Sequence, residues 1–497
     1  MIGKKLGTEP IQPTPRLHDF PHVTDETVNI KPKQRFLSDR QVARLHEAAL
    51  NLMETTGVKV THPKAREILH GHGCNVDGGR VRIPGWLAER AMRYVPPQVV
   101  FYTRRGKSAV VLREDETYYG PTLDAYDYLE PITQNRRRFT IDDLKVTATI
   151  ANALPNFHWT MTIGVASDVD SDVAERTTAR TALTYCEKPL LFCTSSLKAL
   201  KDIYRMASVI AGGEAALLMH PNVVVFNSPI SPLSFDDALI DRLLFTAEKG
   251  LPQVCYSGPQ AGATAPATLA GTVVQGSVES MFGCILAQLV RPGAPFIYGA
   301  FATIMDMQTT VFSYGAPEMN LMASAMAQMA HFYSVPFMGM SGCSDAKFPD
   351  QQAAVEATFS CLCSSMSGAN MVHDNGWLDR SNLVSPEYMV LVNEIIEMVN
   401  HYMAGMRVDD DRLALDVIDQ VGPGGNFLSQ PHTLKYFREI WYSKLFDRAT
   451  MSKWETKGSK RFEQRLQEHT QWYIEQEPPI LPDGVVEELD RMSEDWE

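Results

Sequence analysis

The sequence predicts an α/β protein built on a (β/α)8 TIM barrel, with a helical subdomain before the barrel and a helical extension after it. Three observations lead there. From about Thr140, short β-branched or aromatic runs alternate with long Ala- and Met-rich helical stretches. The short runs are continuously apolar, as parallel strands covered by helices on the outside are. No Gly-rich phosphate loop opens the first helix of the series, as an open nucleotide-binding sheet would show. At 497 residues the chain has room for a barrel of roughly 250 residues and for both flanks.

Residues 1–36, rich in Pro and polar groups, read as an N-terminal arm. Residues 37–116 read as a helical subdomain with short strands. Ser38 and Gln41 have the spacing of a capping box, and the helix they open carries Val42, Leu45, Ala49, Leu52 and Met53 on one side before Gly57. A second helix follows Pro63 to Gly71-His72-Gly73, and a third spans Pro84 to Met92. Val99–Thr103 and Ala109–Leu112 suggest a hairpin.

The barrel is assigned to residues 117–408. Its strand candidates are Trp159–Gly164, Leu190–Thr194, Val223–Asn227, Gln253–Ser257, Phe296–Gly299, Val335–Met340 and Ala369–His373. The helices between them are Ala174–Cys186, Leu197–Ala211, Ser234–Glu248, Leu269–Val290, Glu318–His331 and Gln351–Ser367. An eighth strand is expected around Thr117–Pro121. Residues 409–497 read as a helical extension with a glycine loop at Gly422-Pro423-Gly424-Gly425-Asn426 and highly charged, solvent-facing last helices.

Composition narrows the class. Charged residues are 21% and the formal net charge is −13, the balance of a globular protein with no general pull towards nucleic acid or anionic membrane. Met1–Pro15 has no apolar leader core, and the apolar runs are broken by Gly, Pro and polar residues. The eight cysteines are scattered without a CxxC pair, which fits buried free thiols in a reducing, cytoplasmic setting.

In a barrel, chemistry belongs at the C-terminal strand ends. Here those ends are polar and glycine-rich: Thr162-Ile163-Gly164, Thr194-Ser195-Ser196, Asn227-Ser228-Pro229, Tyr256-Ser257-Gly258, Gly299–Thr303, Gly339–Asp345 and His373-Asp374-Asn375. Each one alone suits an ordinary turn; together they point to one large pocket. Tyr256, Phe301 and Trp377 offer ring faces that attract quaternary ammonium, and Met305, Met307, Phe337 and Met340 offer apolar lining or core. Asp306 and Gln308 follow the fifth run. Asp345 and Lys347 follow the sixth and suggest a loop ion pair. Glu279 falls inside an apolar helix, where an acid needs solvent, a partner or a function. No His/Cys/Asp spacing makes a metal site. Ser195-Ser196 lacks the nucleophile elbow. From the residues alone the reading is a barrel enzyme for a small polar ligand with no built-in nucleophile.

Four motifs extend this reading: Met161-Thr162-Ile163-Gly164, the run from Ser257-Gly258-Pro259-Gln260 to Pro266, Gly342-Cys343-Ser344-Asp345-Ala346-Lys347 with Asp350-Gln351-Gln352-Ala353, and Val421-Gly422-Pro423-Gly424-Gly425-Asn426-Phe427-Leu428. Together they resemble the trimethylamine methyltransferase family from about Leu37 to beyond Phe427. The resemblance implies a (β/α)8 barrel that takes a methyl group from a methylamine-type substrate. It delivers the methyl to cobalt of a corrinoid (cobamide) carried by a partner protein, with no tightly bound cofactor in this chain. Trimethylamine enzymes of the family place the electrophile pyrrolysine in the segment that matches Gly342, Cys343 and Ser344. This sequence holds only standard residues there, and so resembles the glycine betaine and related quaternary amine branch.

That branch implies direct transfer from glycine betaine to Co(I), giving dimethylglycine and methyl-Co(III), with no catalytic protein nucleophile. A quaternary ammonium leaves as a neutral amine and needs orientation and water exclusion above all. The expected substrate-binding residues are Tyr256, Phe301 and Trp377 as cage walls, His373, Asn375 and Asn227 for a carboxylate, and Asp306, Gln308 and Glu279 for the ammonium or for ordering the pocket. Metal ligands are not expected. The implied partners are the small quaternary amine and the cognate corrinoid protein, in a homo-oligomer. Carnitine, proline betaine, γ-butyrobetaine or trimethylamine as donor are the alternatives within the class. A non-catalytic betaine-binding protein on the same barrel is the alternative outside it, and a metal-dependent hydrolase is disfavoured by ligand spacing.

Overall fold

The structure is a computed structural model that describes residues 31–113 and 116–496; up to residue 30, the expected arm lies outside the described residues. Ser38 caps α1 (Asp39–Thr55) in the reciprocal capping box its spacing with Gln41 predicts. Helices α2 (Pro63–Gly71) and α3 (Gly85–Tyr94) follow, and Val99–Tyr102 pairs antiparallel with Ser108–Leu112.

Eight parallel strands then make the core: β1 (Tyr118–Tyr119), β2 (Thr160–Met161), β3 (Leu190–Phe192), β4 (Val223–Asn227), β5 (Gln253–Ser257), β6 (Phe296–Ala300), β7 (Phe337–Met340) and β8 (Met371–His373). Each pairs with its neighbours in sequence, and β8 returns to β1 through Met371–Tyr118 and Val372–Tyr119. The last seam joins β1 and β2 through the Tyr119–Phe157 bridge and the His158 N–H, which donates to the Tyr119 carbonyl at 2.7 Å. The fold is therefore the expected barrel, and β1 is the eighth strand expected near Thr117–Pro121. Strands β4 and β5 are buried at every residue, which is why their sequences do not alternate.

Around the barrel run α4 (Ile141–Ala153), α5 (Ser171–Tyr185), α6 (Leu197–Ala211), α7 (Glu214–Met219), α8 (Asp237–Lys249), α9 (Leu269–Val290), α10 (Pro317–Phe332), α11 (Gln351–Ser367) and α12 (Pro386–Met403). The expected helix start at Ser234 moves to Asp237, because Asp236 caps the Leu239 N–H and Ser234-Phe235 pairs with Lys59-Val60 instead. Helix α9 is long and apolar enough to cross a membrane by length and composition, yet 83% of that window is buried. Its apolar circumference has a local cause: β5 and β6 cover one side, and α1, α3, α8 and α10 cover the rest.

The last helices correct an expectation. They are charged, but each buries one face: Leu466, Thr470 and Tyr473 in Phe462–Ile474, and Leu489 and Met492 in Asp483–Glu494. The first packs on α12 and α4 and the second on α6, so charge density marks only their outer sides. Residues 404–441 form a separate compact unit of short helices around the glycine loop. Within it Arg412 pairs with Asp409 and Glu439, while Leu415, Leu428 and Leu434 are exposed.

Candidate active site

Strands β4, β5 and β8 bring Phe226, Tyr256 and His373 together at their C-terminal ends. The Tyr256 ring meets Phe226 at 5.1 Å between centroids and His373 at 4.8 Å, and His373 lies edge-on to Phe226 at 6.0 Å. All three are buried. Asp374 follows His373 with φ 73°, a left-handed conformation that aspartate adopts more readily than most non-glycine residues.

Several polar atoms of this group are buried without a hydrogen-bond partner: Tyr256 Oη, both ring nitrogens of His373 and Asp374 Oδ1; Trp377 Nε1, four residues past His373, is unpartnered as well. His373 Nδ1 lies 2.7 Å from Asp374 Oδ1, but not in hydrogen-bonding orientation. Orphaned buried groups are rare in native proteins, which makes those beside the strand-end rings candidates for contact with a polar ligand. Burial and the Asp374 charge push the Tyr256 phenol well above its ordinary pKa, so its O–H is kept as a donor.

A second set of rings comes from a hairpin, Thr303–Asp306 paired with Val311–Ser313, which extends from β6; Gln260-Ala261 adds a third strand. Phe301 lies 5.8 Å from Phe312 and 5.1 Å from Tyr314. The Tyr314 O–H donates to Asp374 Oδ2 at 3.3 Å, which links the hairpin rings to the strand-end group.

The remaining expected residues take other positions. Asn375 is fully buried and engaged: its amide donates to the Gly120 and Val372 carbonyls and its oxygen accepts from Ser341, so it ties β8 to β1. Asn227 donates to Gln253 at 3.2 Å and leaves its oxygen open. Glu279, fully buried, accepts from Ser231 Oγ, the Leu233 N–H and Gln275 Nε2, and thereby holds the loop after β4; burial raises its pKa. Asp306 accepts from the Gln308 N–H and Thr309 Oγ1 within its own hairpin turn, which lowers its pKa, and Gln308 is exposed beside it. The Asp345–Lys347 pair is replaced by another arrangement. Lys347 donates to the Asp345 carbonyl and lies 3.7 Å from the Asp379 carboxylate.

Gly342, at φ 65°, admits no side chain: a Cβ would sit 2.3 Å from Asn375 Oδ1 and 2.8 Å from Val392. Ser344 Oγ is bound to Glu356. The Cys343 thiol is buried and its pKa is pushed well above the ordinary value, by burial first and then by Asp374 and Asp345. A thiol held in that form is a poor nucleophile. No group of three or more His, Cys, Asp or Glu residues is placed to hold a metal among the described residues.

Phe226, Phe312 and Tyr314 escape the sequence reading. Phe226 hides one position before a strand end. Phe312 and Tyr314 sit in a hairpin whose two short runs, Thr303–Asp306 and Val311–Tyr314, carry only a faint alternation.

The profile of the trimethylamine methyltransferase (MTTB) family matches residues 13–494. The chain belongs to this family. It is 30% identical over 444 residues to the glycine betaine methyltransferase of Desulfitobacterium hafniense Y51, covering 89% of this chain and 92% of the relative. It is 30% identical over 463 residues to the trimethylamine methyltransferase MttB of D. hafniense DCB-2, covering 93% of each. The Methanosarcina mazei trimethylamine methyltransferase MttB2 is 30% identical over 479 residues, covering 91% of this chain and 94% of the relative. The chain is thus a corrinoid-dependent methyltransferase, as its motifs imply. In this MTTB-family member the motifs divide by place. Thr162 and Gly164 follow β2, Ser257 ends β5, and the Ser344-Asp345 stretch follows β7, while the Gly-Pro-Gly-Gly run lies in the separate 404–441 unit.

Proposed function

We propose that this chain binds a small N-methylated cation at the ends of β4, β5 and β8 and presents one methyl group to a corrinoid carried by a separate protein. The observation that carries this reading is the set of unpartnered buried polar atoms set among ring faces, with the Asp374 carboxylate beside them. Rings and a carboxylate attract an alkylated ammonium. The corrinoid supplies a cobalt nucleophile. The protein's own share is to orient the methyl donor and keep water out, work that needs no protein nucleophile.

Trimethylamine is the donor that two of the three relatives carry in their names, and in its protonated form it would offer its N–H to Asp374 Oδ1. A quaternary amine such as glycine betaine is the second reading, and two observations favour it. The Gly342-Cys343-Ser344 segment offers no electrophile, as the geometry of each residue there supports. The orphaned Tyr256 O–H and Trp377 N–H are donors that a carboxylate would satisfy and trimethylamine would not. A homo-oligomer in the cytoplasm belongs to the same reading; all eight cysteines are free, as a reducing compartment allows.

The test is an anaerobic assay with excess cob(I)alamin and, in turn, trimethylamine, glycine betaine, carnitine, proline betaine and γ-butyrobetaine. Cobalt absorbance and the demethylated amine are followed together. Matching changes with one donor establish it. Binding of betaine without demethylation by any donor, with a cognate corrinoid protein present, would return the chain to a binding role.

A further inference from the structure

We infer that Asp345 is a positioning residue: it clamps the hairpin from β6 so that the Tyr314 phenol rests on Asp374. This inference rests on the reading that Asp374 faces the methyl donor. Asp345 makes no contact with the strand-end rings through its carboxylate. Its Oδ1 accepts from the Tyr314 N–H at 2.9 Å, and its Oδ2 accepts from the Gly315 N–H at 3.0 Å and from Ser313 Oγ. Three consecutive hairpin residues therefore close on one carboxylate.

The clamp is itself braced. Glu356 on α11 accepts from the Asp345 N–H at 2.9 Å and from Ser344 Oγ, and its other oxygen accepts from Gln352 at 2.8 Å. A Cβ at Gly315 would fall 2.5 Å from the Glu356 carboxylate, so the hairpin end, the loop after β7 and α11 meet with no spare room. From this anchor the Tyr314 ring runs inward past Phe301 and Phe312 and its phenol donates to Asp374 Oδ2, while Asp374 Oδ1 accepts no hydrogen bond and lies 2.7 Å from His373 Nδ1. The hydrogen bond from Tyr314 fixes which carboxylate oxygen is left for the ligand. The Ser-Asp-Ala-Lys motif thus acts at a distance: its aspartate orders the hairpin, and the hairpin orders the carboxylate.

Two measurements test this. The first is hydrogen exchange, which needs no substrate. In Asp345→Asn the amides of Tyr314 and Gly315 should exchange at least about tenfold faster, with the β4 and β5 amides unchanged. Unchanged exchange in the hairpin overturns the clamp, as does a uniform increase across the barrel. The second is a double-mutant cycle on the donor identified above. Asp345→Asn should raise KM about tenfold with kcat changed less than about threefold, and should have no further effect in a Tyr314→Phe background. Additive effects of the two changes would overturn the route through the phenol. Ser313→Ala, which keeps the carboxylate and two of its three donors, should fall between Asp345→Asn and the unaltered chain. If the unaltered chain turns over none of the donors, the functional reading fails, and the exchange result still decides the clamp.

Discussion

The imidazole of His373 stands on edge against the phenol ring of Tyr256, with centroids 4.8 Å apart and planes at 74°. These residues are 117 positions apart, on β8 and β5, and the barrel's curvature alone makes them neighbours. Neither side chain spends its polar atoms on the other. The contact leaves a ring face and a phenol O–H for a ligand.

Removing the ring and removing only the hydroxyl should therefore separate. Tyr256→Ala should raise KM for the donor about 10- to 30-fold through loss of the cation-facing wall. Tyr256→Phe keeps the wall: KM should change less than about threefold for trimethylamine and rise about tenfold for a carboxylate-bearing donor. Steady-state kinetics on both donors check this, and equal KM in the Ala variant removes Tyr256 from the site.

Cys343→Ala should keep kcat within about threefold, because a buried, protonated thiol takes no covalent part in the transfer. A drop of two orders of magnitude, with the melting temperature preserved, would restore the cysteine as a nucleophile.

At Gly342 a methyl group has nowhere to go. Gly342→Ala should destabilise the chain by about 2–4 kcal/mol, from the unfavourable positive φ and the contact with Asn375 together. Gly424→Ala, also at positive φ but with nothing within 4 Å, should cost about 1 kcal/mol. Chemical denaturation of the two variants compares them directly.

The barrel seam should be acid-labile. His158 Nδ1 accepts from the Tyr119 N–H where β1 meets β2, and burial, with Lys188 nearby, lowers its pKa from 6.5 to about 4. Between those values the unfolded chain binds the proton and the folded chain resists it. Stability is then fully present above pH 6.5 and is lost as pH falls towards 4. Thermal unfolding across this window should slope more steeply for the unaltered chain than for His158→Asn, and equal slopes would rule His158 out as the cause.

Much of the fold is legible in the residues. The ends of α6, α9 and α11 fall where periodicity and capping put them, and β4 and β5 fall on continuous apolar runs. The short strand β1 is legible only as the remainder that closure of the barrel requires. The site was legible by place and less so by member. Tyr256 and His373 carry unpartnered polar atoms at strand ends, whereas Asn375, in the same tripeptide as His373, spends its amide on the barrel seam. Glu279 and Asp306, candidates for the ammonium or for ordering the pocket, are each engaged by donors close at hand.

The strand–helix period, the helix caps, the barrel and the family can be read along the chain, because periodicity, capping and motif spacing are properties of residues close together in it. Which polar atoms remain without partners is a matter of the fold. Whether a buried amide or carboxylate is satisfied depends on partners that arrive from other strands, so Asn375 closes on Gly120, Asp345 closes on Tyr314, and Asp374 gives one oxygen to Tyr314 and leaves the other, beside His373, without a hydrogen bond.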